Sequence, residues 1–537
     1  MPPPATGAFA SLRHPVFRSL WIANLASNTG MWIQNTSAGW LMTSLAPSPL
    51  MVSLVQAAAM LPVFLFALPG GALADILDRR RTLIAAQLWI AVMGVLLALL
   101  AAAGALGPWS LLALTFAIGA GTAVNFPAWA ATTPELVPRE DLVGAIALNG
   151  IGFNLARALG PALGGFVLAA AGSAAAFALN ALSFLVLLGA LVAWRRPAAA
   201  RAVLPRERLL GAMRAGLRFV AAAPAMRAAI LRACAFFFFA SAVWALLPLI
   251  VRERLQLGPA AFGLMLAVVG GGAVAAGAIM PLVRARLARG PLVFWASLLA
   301  SAAMALLGLA AHWALAALAM LLYGAAWLAG ASTLQVAAQL AAPAWVRARA
   351  LGVYQLCFFG ALAFGAMVWG WVGAVLGLPV ALGLCAGLSV AAAVAVRPWQ
   401  LDGIVPAAAS GVTPIAVPLP RPEAPAAELT DLLHDRSGRV LELVRYRIDP
   451  AEREAFLTVM AEVRRVRLRS GALVWRLYED VAHPERFAEI WVLESWTEHL
   501  REINRLDEAD RATLARAAAL HHGAESPEAA RYLNVVP

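Results

Sequence analysis

Side chains with a capacity for chemistry cluster where one long apolar run ends. A glycine and an aspartate four residues apart precede a second aspartate and three consecutive arginines. Glycine lets two helices approach closely, a carboxylate can accept hydrogen bonds from a neighbouring helix end, and arginines hold a loop at a charged surface. The residues concerned are Gly71, Asp75, Asp78, Arg79, Arg80 and Arg81. A plain basic loop is the alternative interpretation.

A second group of candidates lies inside a later apolar run. Arg157 is the one charge well within that run, and its fixed charge and planar donors would suit an anionic group. Gly160 and Gly164 would allow close helix packing, and Pro161 interrupts the backbone hydrogen-bond ladder. The pattern predicts either a moving helix or a helix that is merely kinked by packing.

Polar and aromatic side chains within the apolar runs predict an internal cavity, because such groups would be unsatisfied against lipid. In the first run, Trp21, Asn24, Asn28, Met31 and Asn35 share one helical face. The candidates on later runs are Asn125, Asn154, Trp244, Trp327, Gln335, Tyr354 and Gln355. Amides and aromatic rings suit a bulky, weakly polar small molecule. For each residue, an ordinary contact between helices is an equal alternative.

These residues must be positioned by membrane-spanning helices. The chain is 62% hydrophobic and 13% charged, far from the usage of soluble domains. A span needs about 20 apolar residues, and a long middle loop divides the apolar runs six and six. We predict spans at 17–43, 50–74, 82–104, 109–132, 142–170, 174–194, 226–251, 260–283, 290–311, 314–339, 348–376 and 379–396. The predicted fold is an all-α polytopic membrane protein of twelve transmembrane helices in two halves, with the lipid bilayer as a partner.

The net charge of +12 is unevenly distributed. Residues 1–397 contain 24 arginines and 7 acidic residues, whereas 398–537 contain 17 arginines and 22 acidic residues. The positive charge therefore belongs to the apolar part, where it sets orientation, and it does not predict a nucleic-acid partner. Because the arginines fall almost entirely on one side of the predicted spans, both termini and the middle loop are expected in the cytoplasm, with the chain in a bacterial inner membrane.

The composition divides the chain into five segments. They are a six-helix half (1–196), a middle loop with an amphipathic helix near 206–222 (197–225), a second six-helix half (226–397), a Pro/Ala-rich linker (398–428) and a soluble domain (429–537). In the last, strand, helix, strand, strand and helix patterns follow one another, which predicts an α+β ferredoxin-like domain. Cys234, Cys357 and Cys385 form no ligand pattern, and adjacent His521 and His522 point apart on a helix. We therefore predict no metal site and no cofactor.

The segment 71–81 resembles the signature between the second and third spans of the major facilitator superfamily. A weaker version, at 277–286, follows the eighth span. Ile76 and Asp78 replace a basic residue and a glycine of the usual motif. The resemblance implies two six-helix halves that expose a central cavity to each side in turn, with Asp75 and the three arginines at an inner gate.

Three further segments, 125–129, 134–142 and 154–165, resemble the branch of that superfamily that contains enterobactin exporters and transmembrane secretion effectors. This resemblance implies an exporter of small amphipathic molecules of drug or siderophore type, and no enzymatic activity. The segment 160–165 is also similar to the bending motif of antiporters, so proton coupling is a further expectation. The titratable groups for such coupling are Asp75, Glu135 and Asp141, with Arg157 as partner or, alternatively, as a substrate-binding residue.

The segments 440–448, 475–480 and 487–496, with His499, resemble the dimeric α/β-barrel domains of antibiotic-biosynthesis monooxygenases. The resemblance implies a homodimer contact through the tail. It also raises the alternative of a membrane-tethered enzyme or sensor, and an uptake permease is a third possibility, because alternating access can run in either direction.

Overall fold

The computed structural model describes residues 8–76, 78–138, 140–194, 209–343, 346–401, 420, 422–426, 438–506, 508–523 and 525–534. These residues form two compact units. The membrane unit comprises Met1–Glu207, Ala228–Ala338 and Gly352–Leu401, and the second unit comprises Arg208–Arg227, Gln339–Leu351 and Asp402–Pro537. Most of the predicted linker and the first part of the middle loop lie outside the described residues.

Among the described residues, twelve α-helices precede the tail. They are α1 (Pro15–Leu45), α2 (Pro49–Ile76), α3 (Arg79–Ala102), α4 (Pro108–Leu136), α5 (Leu142–Ala193), α6 (Leu209–Ala222), α7 (Pro224–Leu249), α8 (Pro259–Arg286), α9 (Arg289–Leu309), α10 (Trp313–Ala341), α11 (Arg347–Leu376) and α12 (Leu378–Ala395). A 3-10 helix at Ala8–Arg13 precedes α1, and a π-helical turn at Ile250–Arg254 extends α7.

Ten of these helices are long and apolar enough to cross a membrane. Among them α5 has 52 residues, or about 78 Å, more than twice the roughly 30 Å of a bilayer core. It is two spans that meet at Gly172, whose φ of 79° breaks the helix at the predicted boundary. Helix α1, with 31 residues, is long enough to be a further span, although its amide and hydroxyl side chains lower its hydropathy. Twelve spans result, which confirms the predicted fold class.

Small residues determine how closely the spans pack. At Gly30 of α1, a methyl group would collide with Asn180 and Ser183 of α5. The buried amide of Asn180 in turn hydrogen-bonds Gln34 of α1. Polar residues of α1 thus satisfy partners inside the helical bundle, as the cost of burying an unpaired polar group requires. Gln34 was not among the predicted site residues.

The tail contains a four-stranded antiparallel sheet in the order β2-β3-β1-β4. Its elements are β1 (Val440–Arg447), α13 (Arg453–Ser470), β2 (Val474–Glu479), β3 (Arg486–Leu493), α14 (Trp496–Arg505), α15 (Glu508–Ala519) and β4 (Glu528–Leu533). Val440, Val444 and Tyr446 alternate on the face of β1 that packs against Phe456 of α13 and Trp491 of β3. The ferredoxin-like arrangement was predicted, but the last strand, β4, was not.

Helix α6 is the predicted amphipathic helix of the middle loop, and it belongs to the second unit. It packs against α13 of the tail domain. Its Arg218 lies 3.6 Å from Glu494, and its Gly216 faces Arg349 of α11 closely enough that a Cβ would meet the Arg349 Cβ at 2.9 Å. The middle loop therefore contributes a helix to the same compact unit as the tail.

The adjacent histidines near the end of α15 have separate structural roles. His521 accepts a hydrogen bond at Nδ1 from the Arg447 backbone N–H (2.9 Å), and His522 lies 3.0 Å from a Glu452 carboxylate oxygen. Burial, with the neighbouring His522 and Arg447, lowers the pKa of His521. A neutral imidazole is the form that can accept the hydrogen bond from Arg447.

Candidate transport site

The predicted gate motif joins three helices at one end of the membrane unit. We call this the arginine-rich end, and it is marked by Arg79, Arg284 and Arg397. Arg79 begins α3 and donates to Glu135 of α4 over 2.6 Å. The next residue, Arg80, donates to the backbone carbonyls of Leu191 (3.3 Å) and Val192 (2.7 Å) near the end of α5. Such carbonyls lack helical partners and carry partial negative charge, so a guanidinium satisfies both needs.

The two aspartates of the motif, Asp75 and Asp78, differ in their position relative to the helices. Asp78 is the N-cap of α3, where its carboxylate accepts a hydrogen bond from the Arg81 backbone N–H at 3.0 Å. Gly71 and Asp75 lie in the last turns of α2, but their side-chain environment is outside the described part of the structure. Their predicted gating role stays a prediction.

Two of the titratable residues predicted for coupling, Glu135 and Asp141, have partners of their own. Glu135 is bound by Arg79, and the buried Asp141, just before α5, lies 2.8 Å from His14 Nε2. The hydrogen bond described for the Arg157 guanidinium is to Asn154 Oδ1, at 2.9 Å, and no ion pair to Arg157 occurs among the described residues. Arg157 is therefore a half-buried cation held by an amide one turn away.

The two halves of the membrane unit meet away from the arginine-rich end. Gly165 of α5 packs on Gly263 of α8 so closely that a methyl group on Gly165 would meet the Gly263 Cα at 2.6 Å. The contact continues to Ala158 and Gly270, where a Cβ on Gly270 would lie 3.3 Å from the Ala158 Cα. Arg252, after α7, donates to Thr43 Oγ1 of α1 at 2.8 Å. These contacts join the halves from one end to about mid-span.

Beyond this contact the facing helices diverge. One turn closer to the arginine-rich end, Asn154 of α5 is exposed, and Val274 of α8 is 68% exposed. Arg157 lies where the contact ends. Arg157 is seven residues, or about two helical turns, before Gly164, so both residues lie on nearly the same face of α5. This face of α5 is adjacent to the face that contains Ala158 and packs on α8.

The bending-motif residues lie at the packing surfaces of α5. A Cβ on Gly160 would meet the Trp32 Cβ of α1 at 2.5 Å, and one on Gly164 would meet the Ile33 Cα at 3.0 Å. Pro161 lies inside the same helix, and its carbonyl oxygen faces Gly263. These residues let α5 approach α1 and α8 at once, which no larger residue would allow.

An aromatic cluster joins the two halves next to these glycines. Trp244 of α7 lies 5.6 Å, centroid to centroid, from Trp327 of α10 and 6.2 Å from Trp32 of α1. Tyr323 and Phe237 complete the cluster, at 6.1 and 5.3 Å from Trp327. Sequence reasoning found Trp244 and Trp327 but missed Trp32 and Tyr323. The position of Tyr323 one turn before Trp327 on α10 was the available signal.

The remaining candidates are less closely grouped. Asn28 donates to the Asn24 backbone carbonyl at 2.9 Å, so its amide is partly used within α1. Trp21 donates to the Leu148 carbonyl at 3.1 Å and thus packs on α5. The half-buried candidates are Asn35, Asn125, Gln335 and Gln355, whereas Tyr354 is buried. A substrate-binding role for these residues stays a prediction.

The profile of one protein family, described as transmembrane secretion effectors, matches residues 6–536. This chain belongs to that family. The match includes the tail as well as the helices. Enterobactin exporters of Shigella boydii serotype 18 and of Escherichia coli O81 are each 30% identical to it over 324 residues, or 60% of this chain and 76% of the relative.

Solved structures show the same fold at low identity. A POT family transporter in complex with 5-aminolevulinic acid aligns with a TM-score of 0.58 at 13% identity, over 71% of this chain and 95% of its own. A bacterial homologue of the human lysosomal transporter Spinster, in an inward-facing and unoccupied conformation, aligns with a TM-score of 0.55 at 16% identity, over 72% and 93%. The chain is thus a major-facilitator transporter of the inner membrane rather than an enzyme, as predicted.

Proposed function

We propose that this protein exports small amphipathic molecules with an anionic or weakly acidic group, by alternating access. The observation that carries the proposal is the close packing of α5 on α8 at Ala158 and Gly270, beyond which Asn154 and Val274 are exposed and beside which Arg157 lies. The relatives named as enterobactin exporters support the direction and the size class of the substrate.

The positive-inside rule supports the orientation of this proposal. With the arginine-rich end in the cytoplasm, both termini are cytoplasmic, and the divergence beyond Arg157 faces the cytoplasm. An exporter loads its substrate from that side. The segment from Asp75 to Arg81 then acts at the inner gate, where Arg79–Glu135 and Arg80–Val192 tie α3 to its neighbours within the first half.

Arg157 is proposed to bind the anionic group of the substrate. Among the residues that the structure describes, no carboxylate pairs with the Arg157 guanidinium, and in a low-dielectric setting such a group gains most from an anion that fits its planar donors. Asn154 holds it in place through a 2.9 Å hydrogen bond. The aromatic cluster of Trp32, Trp244 and Trp327 supplies an apolar surface nearby.

The test is efflux from cells that express Arg157→Gln, Arg157→Lys or the unchanged chain, with matched anionic and neutral dye or catechol substrates. Loss of anionic efflux of tenfold or more, with neutral efflux kept, is expected for Arg157→Gln, since a good charge-assisted contact contributes about 1.5–3 kcal/mol. Arg157→Lys should retain part of the anionic efflux. Equal loss of both substrates would assign Arg157 to coupling, and unchanged efflux of both would refute either role.

Proton coupling through Asp75 is a separate part of the proposal. A protonophore should abolish efflux by the unchanged chain, because export against a gradient needs a driving force. Asp75→Asn should reduce efflux while membrane insertion, measured by the amount of chain in the membrane fraction, stays unchanged. Efflux that persists with the protonophore would exclude proton coupling, and normal efflux by Asp75→Asn would remove Asp75 from the gate.

We also propose that the tail pairs with a second copy of itself through the outer face of its sheet. Alternate residues point away from the core, and Leu441 and Ile490 there are only half-buried, while Tyr478 and Tyr532 are exposed. An apolar sheet face bordered by both Arg445 and Glu528 is self-complementary, as a two-fold contact requires. Ile490→Asp should convert dimers to monomers in light scattering of the detergent-purified chain. Monomers before substitution would refute the pairing.

A further inference from the structure

A partly open cavity of about 620 Å³ lies between the core face of the tail sheet and its helices, and Pro420 and Pro422 of the linker also line it. Most buried faces of such small domains are filled by apolar side chains. Here, three buried groups that ligate metals line the same cavity. They are Glu442 on β1 and both His499 and Glu502 on α14.

The fold brings these three groups together from distant parts of the sequence. His499 and Glu502 are three residues apart and so share one face of α14. Glu442 lies on the face of β1 that points to the same cavity, next to the core residue Val444 on that face. One donor atom of each residue lies within 4.8 Å of the others, and the residues are 5%, 3% and 3% exposed in the order Glu442, His499 and Glu502.

Two atoms of this cluster that could ligate a metal ion make no hydrogen bond. Glu442 Oε1 and His499 Nδ1 are in contact with each other, yet neither takes part in a hydrogen bond of acceptable geometry. Buried polar atoms are nearly always satisfied, so an oxygen and a nitrogen left in this state beside a cavity indicate a missing partner. A cation between them would use the lone pairs of both.

The carboxylates are held from behind, as metal-binding carboxylates usually are. Trp491 Nε1 donates to Glu502 Oε2 at 3.3 Å, and Arg467 Nη1 lies 3.4 Å from Glu502 Oε1. Arg531 Nε lies 3.5 Å from Glu442 Oε1. The contacts from Trp491 and Arg467 fix the orientation of the Glu502 carboxylate, whereas Arg531 approaches the same Glu442 oxygen that contacts His499.

The charges in the cluster leave room for a cation. Glu442, Glu489 and Glu502 are buried acids, and the guanidiniums of Arg467 and Arg531 contact them, while the exposed Arg511 also lines the cavity. Arg467 lies 3.0 Å from Glu489, so the Glu489 carboxylate already compensates most of the positive charge of Arg467. One excess negative charge in a buried site is costly unless a proton or a metal ion neutralises it.

We propose that Glu442, His499 and Glu502 bind one divalent transition-metal ion in the tail domain. Two carboxylate oxygens and one imidazole nitrogen suit Mn²⁺, Fe²⁺ or Zn²⁺, and the open cavity leaves positions for water or a second ligand. An ion with bonds of about 2.1 Å holds its ligand atoms at most about 4.2 Å apart, so a small side-chain rotation would close the site. The proposal concerns the tail domain and does not depend on what the helices transport.

The test uses the untagged full chain in detergent. The protein is stripped with a chelator, incubated with Mn²⁺, Fe²⁺ without oxygen, or Zn²⁺, desalted, and analysed for metal by mass spectrometry. We expect about one ion per chain for at least one metal, and a loss of at least tenfold in affinity for Glu442→Gln and for His499→Gln. The matched control is Glu452→Gln with His522→Ala, an exposed Glu–His pair of the same domain, which should bind as the unchanged chain does.

A second measurement keeps the test decisive if a variant fails to fold. X-ray absorption of the unchanged chain loaded with Zn²⁺ should show a shell of oxygen and nitrogen with the scattering pattern of one imidazole. Failure of all three ions to bind would overturn the proposal. Equal metal content in the site variants and the unchanged chain, or an imidazole-free shell, would overturn it equally.

Discussion

Arginine is used differently in the membrane unit and in the tail. In the membrane unit, Arg232 is almost completely buried and donates to three backbone carbonyls, those of Trp399, Gly290 and Arg397 at 2.8, 3.0 and 3.1 Å. In the tail, Arg467 is also buried but binds two carboxylates, Glu489 and Glu502. It also lies 3.6 Å over the Trp491 ring.

The difference follows from what each solvent allows. A carboxylate inside a bilayer is costly, so the membrane unit offers few acids, and its buried Arg232 is satisfied by the partial negative charge of backbone carbonyls. The tail folds in water, where acidic residues are abundant, and its arginines are neutralised by full charges. The same residue type is therefore an anchor of helix ends in one unit and part of a buried ionic network in the other.

The strongest test of the comparison is Arg467→Met. Removal of this guanidinium leaves Glu489 and Glu502 buried without their partner, which should destabilise the tail by about 3–5 kcal/mol. Hydrogen exchange of β3 amides, measured by mass spectrometry on the full chain, reports the loss. Arg453→Met, which removes the exposed pair with Glu479, is the control and should leave exchange unchanged. Similar exchange in both variants would contradict the network.

Arg232→Met should have the next largest effect. Three carbonyls lose a charged donor, and a loss of about 2–3 kcal/mol is expected because part of the apolar stem is retained. The measurement is the midpoint of thermal unfolding in detergent. Arg232→Lys keeps the positive charge but loses the planar set of donors. Its unfolding midpoint should lie between that of Arg232→Met and that of the unchanged chain. A midpoint for Arg232→Met equal to that of the unchanged chain would show that these carbonyl contacts are not stabilising.

The smallest effect is expected for the pair of Arg79 and Glu135, which is partly exposed at the arginine-rich end. A double-mutant cycle with Arg79→Gln and Glu135→Gln should give a coupling energy of about 0.2–1 kcal/mol. The cycle is read from thermal unfolding, and efflux is measured in parallel. A coupling energy as large as the destabilisation by Arg467→Met would contradict the proposal that carboxylate pairs stabilise the tail more than the membrane unit.

Several parts of the structure could be predicted because they depend on local pattern. The spans follow from runs of apolar residues. The division of α5 into two spans lies at Gly172. The tail strands β1 and β3 follow from the alternation of apolar and polar residues. Strand β4, in contrast, has a short and ambiguous pattern at Glu528–Leu533 and becomes a strand only because β1 offers an unpaired edge. Tertiary pairing decided that element.

The candidate sites divide in the same way. Arg157 and the glycines after it were found because a charge or a run of small residues in an apolar segment is visible locally. Trp32 and Tyr323 were missed since any aromatic residue of a span can face lipid, a neighbour or a cavity. The cluster of Glu442, His499 and Glu502 joins residues up to 60 positions apart, and only His499 and Glu502 carry a local signal.

The sequence by itself determined that the chain spans a membrane twelve times, which end of the helices carries the arginines, and that a water-soluble domain follows. These properties depend on composition and period, which are sums over many residues. The tertiary structure alone decided where α5 and α8 part, which aromatic rings meet, and which carboxylates share a cavity. Such contacts depend on the packing of distant segments, and one side chain more or less changes them.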